Sequence, residues 1–385
     1  MFLGDKAMLH NIPVLQSKLR PVSCKKTSFP RPRLFKRLSE SLEGRVTLIL
    51  SPPGGGKSTL AHHFLVENSI EFLWYEMDAV DADPVVFLNH LLFGLRRNFP
   101  EFLPQITTIE YSHIKDNSFR HCLGTLFITQ LELHVRERVV IVLDNYERIK
   151  NAVEVRDYLH FFLEHLPENV HLFLLSTRRP NLSLSRLSLL GQVEILDGQE
   201  LAFQPNETKE FFSMCLERLP SRKLLEKIQQ RTEGWATGLM IYLRSLQELG
   251  QQHFTSRQLS SLFEAAVYEY FDENILSNQE DSIKNFLLKT SLLNTLTPAI
   301  CNRFLKIDEA DRILLHLVEN NLFTSANKGE RNAYQYSPLF RSFLKDTLRR
   351  SLPKHEVEML HNRLAVILKK YDQSEAAFHL SLIHI

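Results

Sequence analysis

No charge of either sign dominates this 385-residue chain: 46 lysines and arginines stand against 45 aspartates and glutamates, a formal net charge of +1. Nothing global steers it onto nucleic acid or acidic membranes, so any such contact has to come from a local patch. Cysteine is scarce and scattered. Cys24, Cys122, Cys215 and Cys301 form no CxxC pair, which argues against zinc and a disulfide framework and suits a reducing cytoplasm. Long apolar runs are missing as well. The opening residues, MFLGDKAMLHNIP, lack the apolar run of a signal peptide, and no stretch approaches the ~18 residues of a membrane span. A cytoplasmic, soluble chain without membrane contact is the expectation. With 44% hydrophobic and 24% charged residues it reads as folded, and its length suggests about two to four domains.

Residues 1–30 are rich in Pro, Ser, Lys and Arg without a clear period, and are expected to form an extended arm. From 31 to 205, short apolar runs alternate with helical stretches: VTLIL (46–50), EFLWYE (71–76), VVIVL (139–143), HLFLL (171–175) and VEIL (193–196). Such runs, separated by long crossovers, predict a parallel sheet with helices on both faces. Helical periods dominate residues 206–275, with Asn206 as the expected N-cap of the first helix. Residues 276–350 read as helices followed by a β-hairpin whose turn holds Asn327, Lys328 and Gly329, the pattern of a winged-helix domain. The remaining residues, 351–385, open with one more helix.

The chemistry concentrates in ILSPPGGGKSTLAHHF, residues 49–64. The phosphate-loop pattern is G-x-x-x-x-G-K-[ST], and one position fails: Ser51 stands where the first glycine belongs. The physics needs most of what remains. Backbone N–H groups late in the loop and at the helix start must point at phosphate oxygens. Pro52 and Pro53 have no N–H, but they occupy the early part. Gly54, Gly55 and Gly56 permit positive φ and close approach, Lys57 can reach the β and γ phosphates, and Ser58 can ligate Mg²⁺. A bare Gly/Pro turn ending in Lys-Ser would not explain the strand leading in and the helix leading out.

A P-loop site also needs an acid at the end of another apolar strand. VVIVLDNYERI supplies Asp144 for Mg²⁺. The next position, where many P-loop ATPases carry a water-activating carboxylate, holds Asn145, whose amide orients water but cannot take its proton near neutral pH. Glu147 can substitute only if the turn brings it round. At the end of the fourth strand, Arg178 and Arg179 stand where a γ-phosphate sensor is often found.

Together these residues resemble the MalT-like, LuxR-type ATP-binding transcriptional regulators, of the STAND class of signalling P-loop NTPases. The similarity runs along essentially the whole chain, through SKLRPVSCKKTSFPRPRLFKRL, SPPGGGKSTL, FLWYEMDAVDADPVVFLNHLL, LDNYERI, STRRPNLSLSRL, LAFQPNET, GWATGLMIYLRSL and YSPLFRSFLKDTL. The leading loop glycine is also absent in that family, so Ser51 is typical of it. The resemblance implies a switch in which ADP is held closed until an inducer, sensed by C-terminal helical repeats, permits exchange for ATP, opening and self-association. DNA binding would reside in a C-terminal helix-turn-helix. By position, Gly54, Gly55, Gly56, Lys57, Ser58 and Thr59 would hold phosphates, Ser58 and Asp144 the Mg²⁺, and Arg178 would sense phosphate. Arg31, Gly234 and Trp235 would lie near the nucleotide.

Three departures qualify that picture. Asn145 replaces an acid common in the family and points to slow or absent hydrolysis. Ser337 stands where a histidine usually contacts ADP phosphate, which loosens the expected grip on ADP. A helical solenoid needs about three repeats, and residues 351–385 cannot supply them, so the chain is expected to be truncated or a fragment. Two other readings stay open: a conventional ATPase doing mechanical or transport work, and a nucleotide-binding scaffold that never cycles. The helix after the hairpin carries Arg341, Lys345 and Arg349 at four-residue spacing, a basic stripe that would suit DNA, although such stripes usually face solvent.

Overall fold

A computed structural model describes residues 13–21, 29–114, 117–149, 152–250, 255–327 and 332–370. They fall into two compact units. The first joins the described residues up to Ser51 with Gly56–Leu201; the second joins Pro52–Gly55 with those from Ala202 onward.

In the first unit, a 3₁₀ turn at Gln16–Leu19 precedes α1 (Pro32–Ser41), β1 (Val46–Leu50), α2 (Lys57–Glu67), β2 (Glu71–Glu76), α3 (Pro84–Asn98), α4 (Asn117–His134), β3 (Val139–Asp144), α5 (Val153–His165), β4 (Val170–Ser176), α6 (Ser185–Leu189), β5 (Val193–Leu196) and α7 (Gly198–Leu201). All five strands run parallel in the order β2-β3-β4-β1-β5. Every residue of β1, β3 and β4 is buried, as a sheet covered on both faces requires. The two faces have separate cores. One packs Ile49, Trp74, Val140, Val142, Phe173 and Leu175 against α1 and α2 through Leu34, Leu38, Leu60 and Phe64. The other packs Leu48, Tyr75, Ile141, Leu143, Leu172 and Leu174 against α3, α4 and α5 through Leu88, Phe127 and Leu159.

The arm is not simply extended where it is described. Lys18 donates to both carboxylate oxygens of the fully buried Asp81, at 2.9 and 2.7 Å, and pairs with Asp78 at 2.9 Å. Leu15 N donates to His90 Nε2, and Leu19 is buried in the α3 core. A buried acid fixes the turn, and composition alone gave no sign of it.

The second unit contains α8 (Pro205–Cys215), α9 (Arg222–Thr232), α10 (Ala236–Leu249), α11 (Ser256–Phe271) with a π-helical turn at Asp272–Leu276, α12 (Asp281–Thr290), α13 (Pro298–Leu305), α14 (Ala310–Glu319), β6 (Thr324–Ala326), β7 (Tyr334–Tyr336), α15 (Pro338–Ser351) and α16 (Lys354–Lys370). The expected cap at Asn206 is corrected by two residues. Proline at 205 opens α8, where its missing N–H costs nothing, and Gln204 is the N-cap, its N–H held by Glu207 Oε2 at 2.9 Å. The wing pairs Thr324 with Tyr336 and Ala326 with Tyr334, and Leu296 adds a bridge to Tyr334. Of the expected hairpin turn, Lys328 and Gly329 lie outside the described residues. Buried Phe340, Phe343, Leu344 and Leu348 anchor α15. Among the described residues no helix is long and apolar enough to cross a membrane.

Candidate functional site

At the carboxyl end of the sheet, strand alternation sorts the side chains. Trp74 and Val142 belong to the core under α2, so two residues on Glu76 and Asp144, still within their strands, lie on that same face. This is where an open α/β sheet presents ligands to the ends of its strands.

Between β1 and α2 the chain makes the loop. Gly54 and Gly56 have φ of +71° and +90°, and Gly56 is the left-handed residue from which α2 starts. Gly55 does not share the positive φ; its N–H closes a turn on Pro52 O at 3.0 Å. Lys57 is 7% exposed, and its Nζ donates to Ser51 O at 2.8 Å. Burial lowers the Lys57 pKa, opposed by the charges of Glu147 and Asp144. Ser58, in the first turn of α2, hydrogen-bonds the Asp144 carboxyl. Asp144 is 2% exposed, and burial pushes it up to about 6 against the hydrogen bonds from Ser58 and the Asn145 N–H, the latter at 2.9 Å. A hydroxyl and a carboxylate in contact, beside a buried ammonium and a loop in positive φ, fit a magnesium–phosphate group. Lys57, Ser58 and Asp144 are thus brought together as expected; Thr59 is exposed on the same turn.

Two carboxylates join them. Asn145 has φ of +58°, which turns the chain sharply into a 3₁₀ turn, Tyr146–Ile149. That turn does bring Glu147 round: its Oε2 accepts Thr177 N at the end of β4 at 3.1 Å. Glu76, in register with Asp144 across β2 and β3, accepts a long hydrogen bond from Asn145 Nδ2 at 3.4 Å and adds to the rise in the Asp144 pKa. Sequence reading missed Glu76. Its only trace was a charged residue two positions after a core tryptophan.

Arg178 follows β4, its N–H donating to Ser176 Oγ at 3.2 Å. With Arg156, Arg179, Tyr146 and Ser176 it lines a cavity of about 280 Å³ that Ile149, a member of the opposite core, also lines. Arg31, at the start of α1, is buried and donates from Nη1 to Leu201 O at 2.6 Å.

Within the second unit the loop tip is firmly held. Trp235 Nε1 donates to Pro53 O at 3.1 Å, and Thr237 donates to Gly54 O from both N and Oγ1, at 3.1 and 2.9 Å. A Cβ at Gly54 would lie 2.3 Å from Thr237 Oγ1 and 2.6 Å from Tyr270 OH, so only glycine fits there. Gly234, with φ of +78°, accepts Phe203 N at 2.8 Å and sets up the start of α10. The Trp235 ring stacks on Phe271 and meets Phe323 edge-on. Ser337 N donates to Phe323 O at 2.8 Å, tying the cap of α15 into this cluster. On the basic stripe, Arg341 donates from Nε to Ser291 O at the end of α12, and burial depresses the Lys345 pKa to about 8. Arg341 therefore serves the packing of the winged helix.

Residues 272–356 match the family described as the MalT winged helix domain. The HTH-type transcriptional regulator MalT of Cronobacter sakazakii is 29% identical over 339 residues, covering 86% of this chain and 36% of that protein. MalT of Serratia proteamaculans is 28% identical over 334 residues, with the same two coverages. The chain is similar to MalT over most of its length. It aligns with little more than a third of the length of those curated relatives. Among solved structures, the Walker-type ATPase PABY2304 of Pyrococcus abyssi matches with a TM-score of 0.57 at 15% identity, covering 85% of this chain and 99% of that one. At that identity the match concerns the fold alone.

Proposed function

We propose that the chain is the nucleotide-dependent switch of a MalT-like transcriptional regulator, binding ATP or ADP with Mg²⁺. The observation that carries this reading is the contact of Ser58 with buried Asp144 beside buried Lys57, behind a loop with Gly54 and Gly56 in positive φ. Loop N–H groups and Lys57 would hold the β and γ phosphates, and Ser58 and Asp144 the metal, which would screen the developing charge. Gly234 and Trp235 would border the nucleotide through their hold on Phe203 and Pro53. Ser337, a short neutral hydroxyl, would grip ADP phosphate less firmly than a charged ring. Arg31 and Arg178 would act, respectively, as a fixed support of α1 and as an anion-responsive group beside the site.

Turnover is slow in this reading, because no carboxylate follows Asp144 directly. Inducer sensing, self-association and DNA binding would belong to the whole cytoplasmic regulator, as the relatives' description as HTH-type transcriptional regulators suggests.

The test is the identity and stoichiometry of nucleotide co-purifying with the chain, with Lys57→Ala as control. Near-stoichiometric ADP, lost in the variant, is the expected result. An ordinary motor would release product readily and turn over at about 1–10³ s⁻¹. Unchanged affinity in Lys57→Ala would overturn the assignment.

A further inference from the structure

We propose that Glu76 is the carboxylate that orients and deprotonates the attacking water when the bound nucleoside triphosphate is hydrolysed, with the Asn145 amide positioning it. The inference rests on the nucleotide reading above and adds the group that Asn145 cannot supply.

Four observations carry it. Glu76 is the last residue of β2 and is paired in register with Asp144, the last residue of β3. Trp74 and Val142, two residues before each, pack in the core beneath α2, so both carboxylates emerge on the face that carries Lys57 and Ser58. Met77 N donates to Asp144 O at 2.9 Å, which fixes the two strand ends against each other. Asn145 reaches across from its positive-φ turn, its Nδ2 3.4 Å from Glu76 Oε1.

The two other acids on this face are committed. Asp144 bonds Ser58 and is buried. Glu147 accepts Thr177 N and lies where its charge supports the Lys57 ammonium. Glu76 is exposed and keeps free lone pairs beside the one long bond from Asn145. A general base has to be ionised, reachable by water and held in direction. An amide beside it donates to one oxygen and leaves the other to the water. The usual arrangement, acid after the metal ligand, is thereby exchanged between strands: the amide follows Asp144 and the acid sits one strand over.

The step balances simply. The water oxygen forms a bond to the γ phosphorus and its proton passes to the Glu76 carboxylate. The bond from that phosphorus to the β–γ bridging oxygen breaks, and the electron pair leaves with the nucleoside diphosphate.

The experiment uses the whole chain and compares wild type with Glu76→Gln, Glu147→Gln and the double variant Glu76→Gln, Asn145→Asp. Three quantities are read: the Kd for ADP and for a non-hydrolysable ATP analogue, single-turnover hydrolysis of Mg-ATP, and the nucleotide retained after incubation with ATP. Glu76→Gln is expected to leave both Kd values within about twofold and to slow hydrolysis by about 10²-fold or more. It should retain ATP where wild type retains ADP. The double variant should regain hydrolysis, because the acid returns to the position after Asp144. Wild-type hydrolysis in Glu76→Gln, or loss confined to Glu147→Gln, would overturn the assignment. So would wild type that binds ATP and never hydrolyses it. Wild type that binds no nucleotide would instead overturn the nucleotide reading itself.

Discussion

His171 lies in β4, 1% exposed, at the end of the sheet away from the loop. Its Nδ1 is 2.9 Å from Gly44 O, which can only accept, so Nδ1 carries the proton. On its other side Nε2 lies 2.8 Å from the Thr47 hydroxyl oxygen. Burial pushes its pKa down to about 4. A folded pKa below the unfolded value of about 6.5 means that stability is full above pH 6.5 and drains as pH falls toward 4, because the unfolded chain takes the proton first. At pH 5 the loss is about 2 kcal/mol. His62 and His90, also depressed by burial, act in the same sense. Asp144 acts in the opposite sense, since its raised folded pKa favours the folded state as it protonates near pH 6. The contribution of His171 is therefore read as a difference. Urea unfolding at pH 7.5 and pH 5 should show about 2 kcal/mol less pH dependence in His171→Gln than in wild type. Equal pH dependence in the two proteins would mean that the ring is not held neutral.

At the scale of elements, the 3₁₀ turn at Gln16–Leu19 is fastened by charge. Asp81 also accepts Tyr75 OH and Asp78 N, both at 2.7 Å, so its carboxylate is fully partnered only while Lys18 is in place. Removing Lys18 leaves an uncompensated buried charge, a loss of about 3–5 kcal/mol, whereas neutralising both partners costs much less. Lys18→Ala should thus lower the urea midpoint more than Lys18→Met combined with Asp81→Asn. The reverse order would show that the turn is held by Leu19 packing instead. This lock also marks the limit of what composition and periodicity convey. The five strands and the loop were legible because each is a local pattern: an apolar run, or glycines before Lys-Ser. The lock, the register that sets Glu76 beside Asp144, and the cavity that takes Arg178 are pairings between distant segments. No period encodes them. Glu147 lay between, legible as a residue but not as a partner of Thr177 until the Asn145 backbone turned it inward.

At the scale of the whole molecule, the loop tip Pro52–Gly55 belongs to the second compact unit. The tip's conformation is set by three hydrogen bonds from the start of α10, and the ring of Trp235 carries that hold into a cluster with Phe271 and Phe323, beside the cap of α15. A loop fixed beforehand loses less entropy when phosphate binds. Trp235→Phe keeps the ring stacked and deletes only the bond to Pro53 O, worth about 1 kcal/mol, so ADP should bind about fivefold more weakly. The chain has two tryptophans, Trp74 and Trp235. In a Trp74→Phe background, indole fluorescence therefore reports on Trp235 alone and should change when ADP is added. An affinity unchanged in Trp235→Phe, with silent fluorescence, would mean that the loop needs no such hold. A fivefold loss with responsive fluorescence would place the indole on the path by which phosphate binding is felt in the winged-helix cluster, without requiring any residue of that cluster to touch the nucleotide.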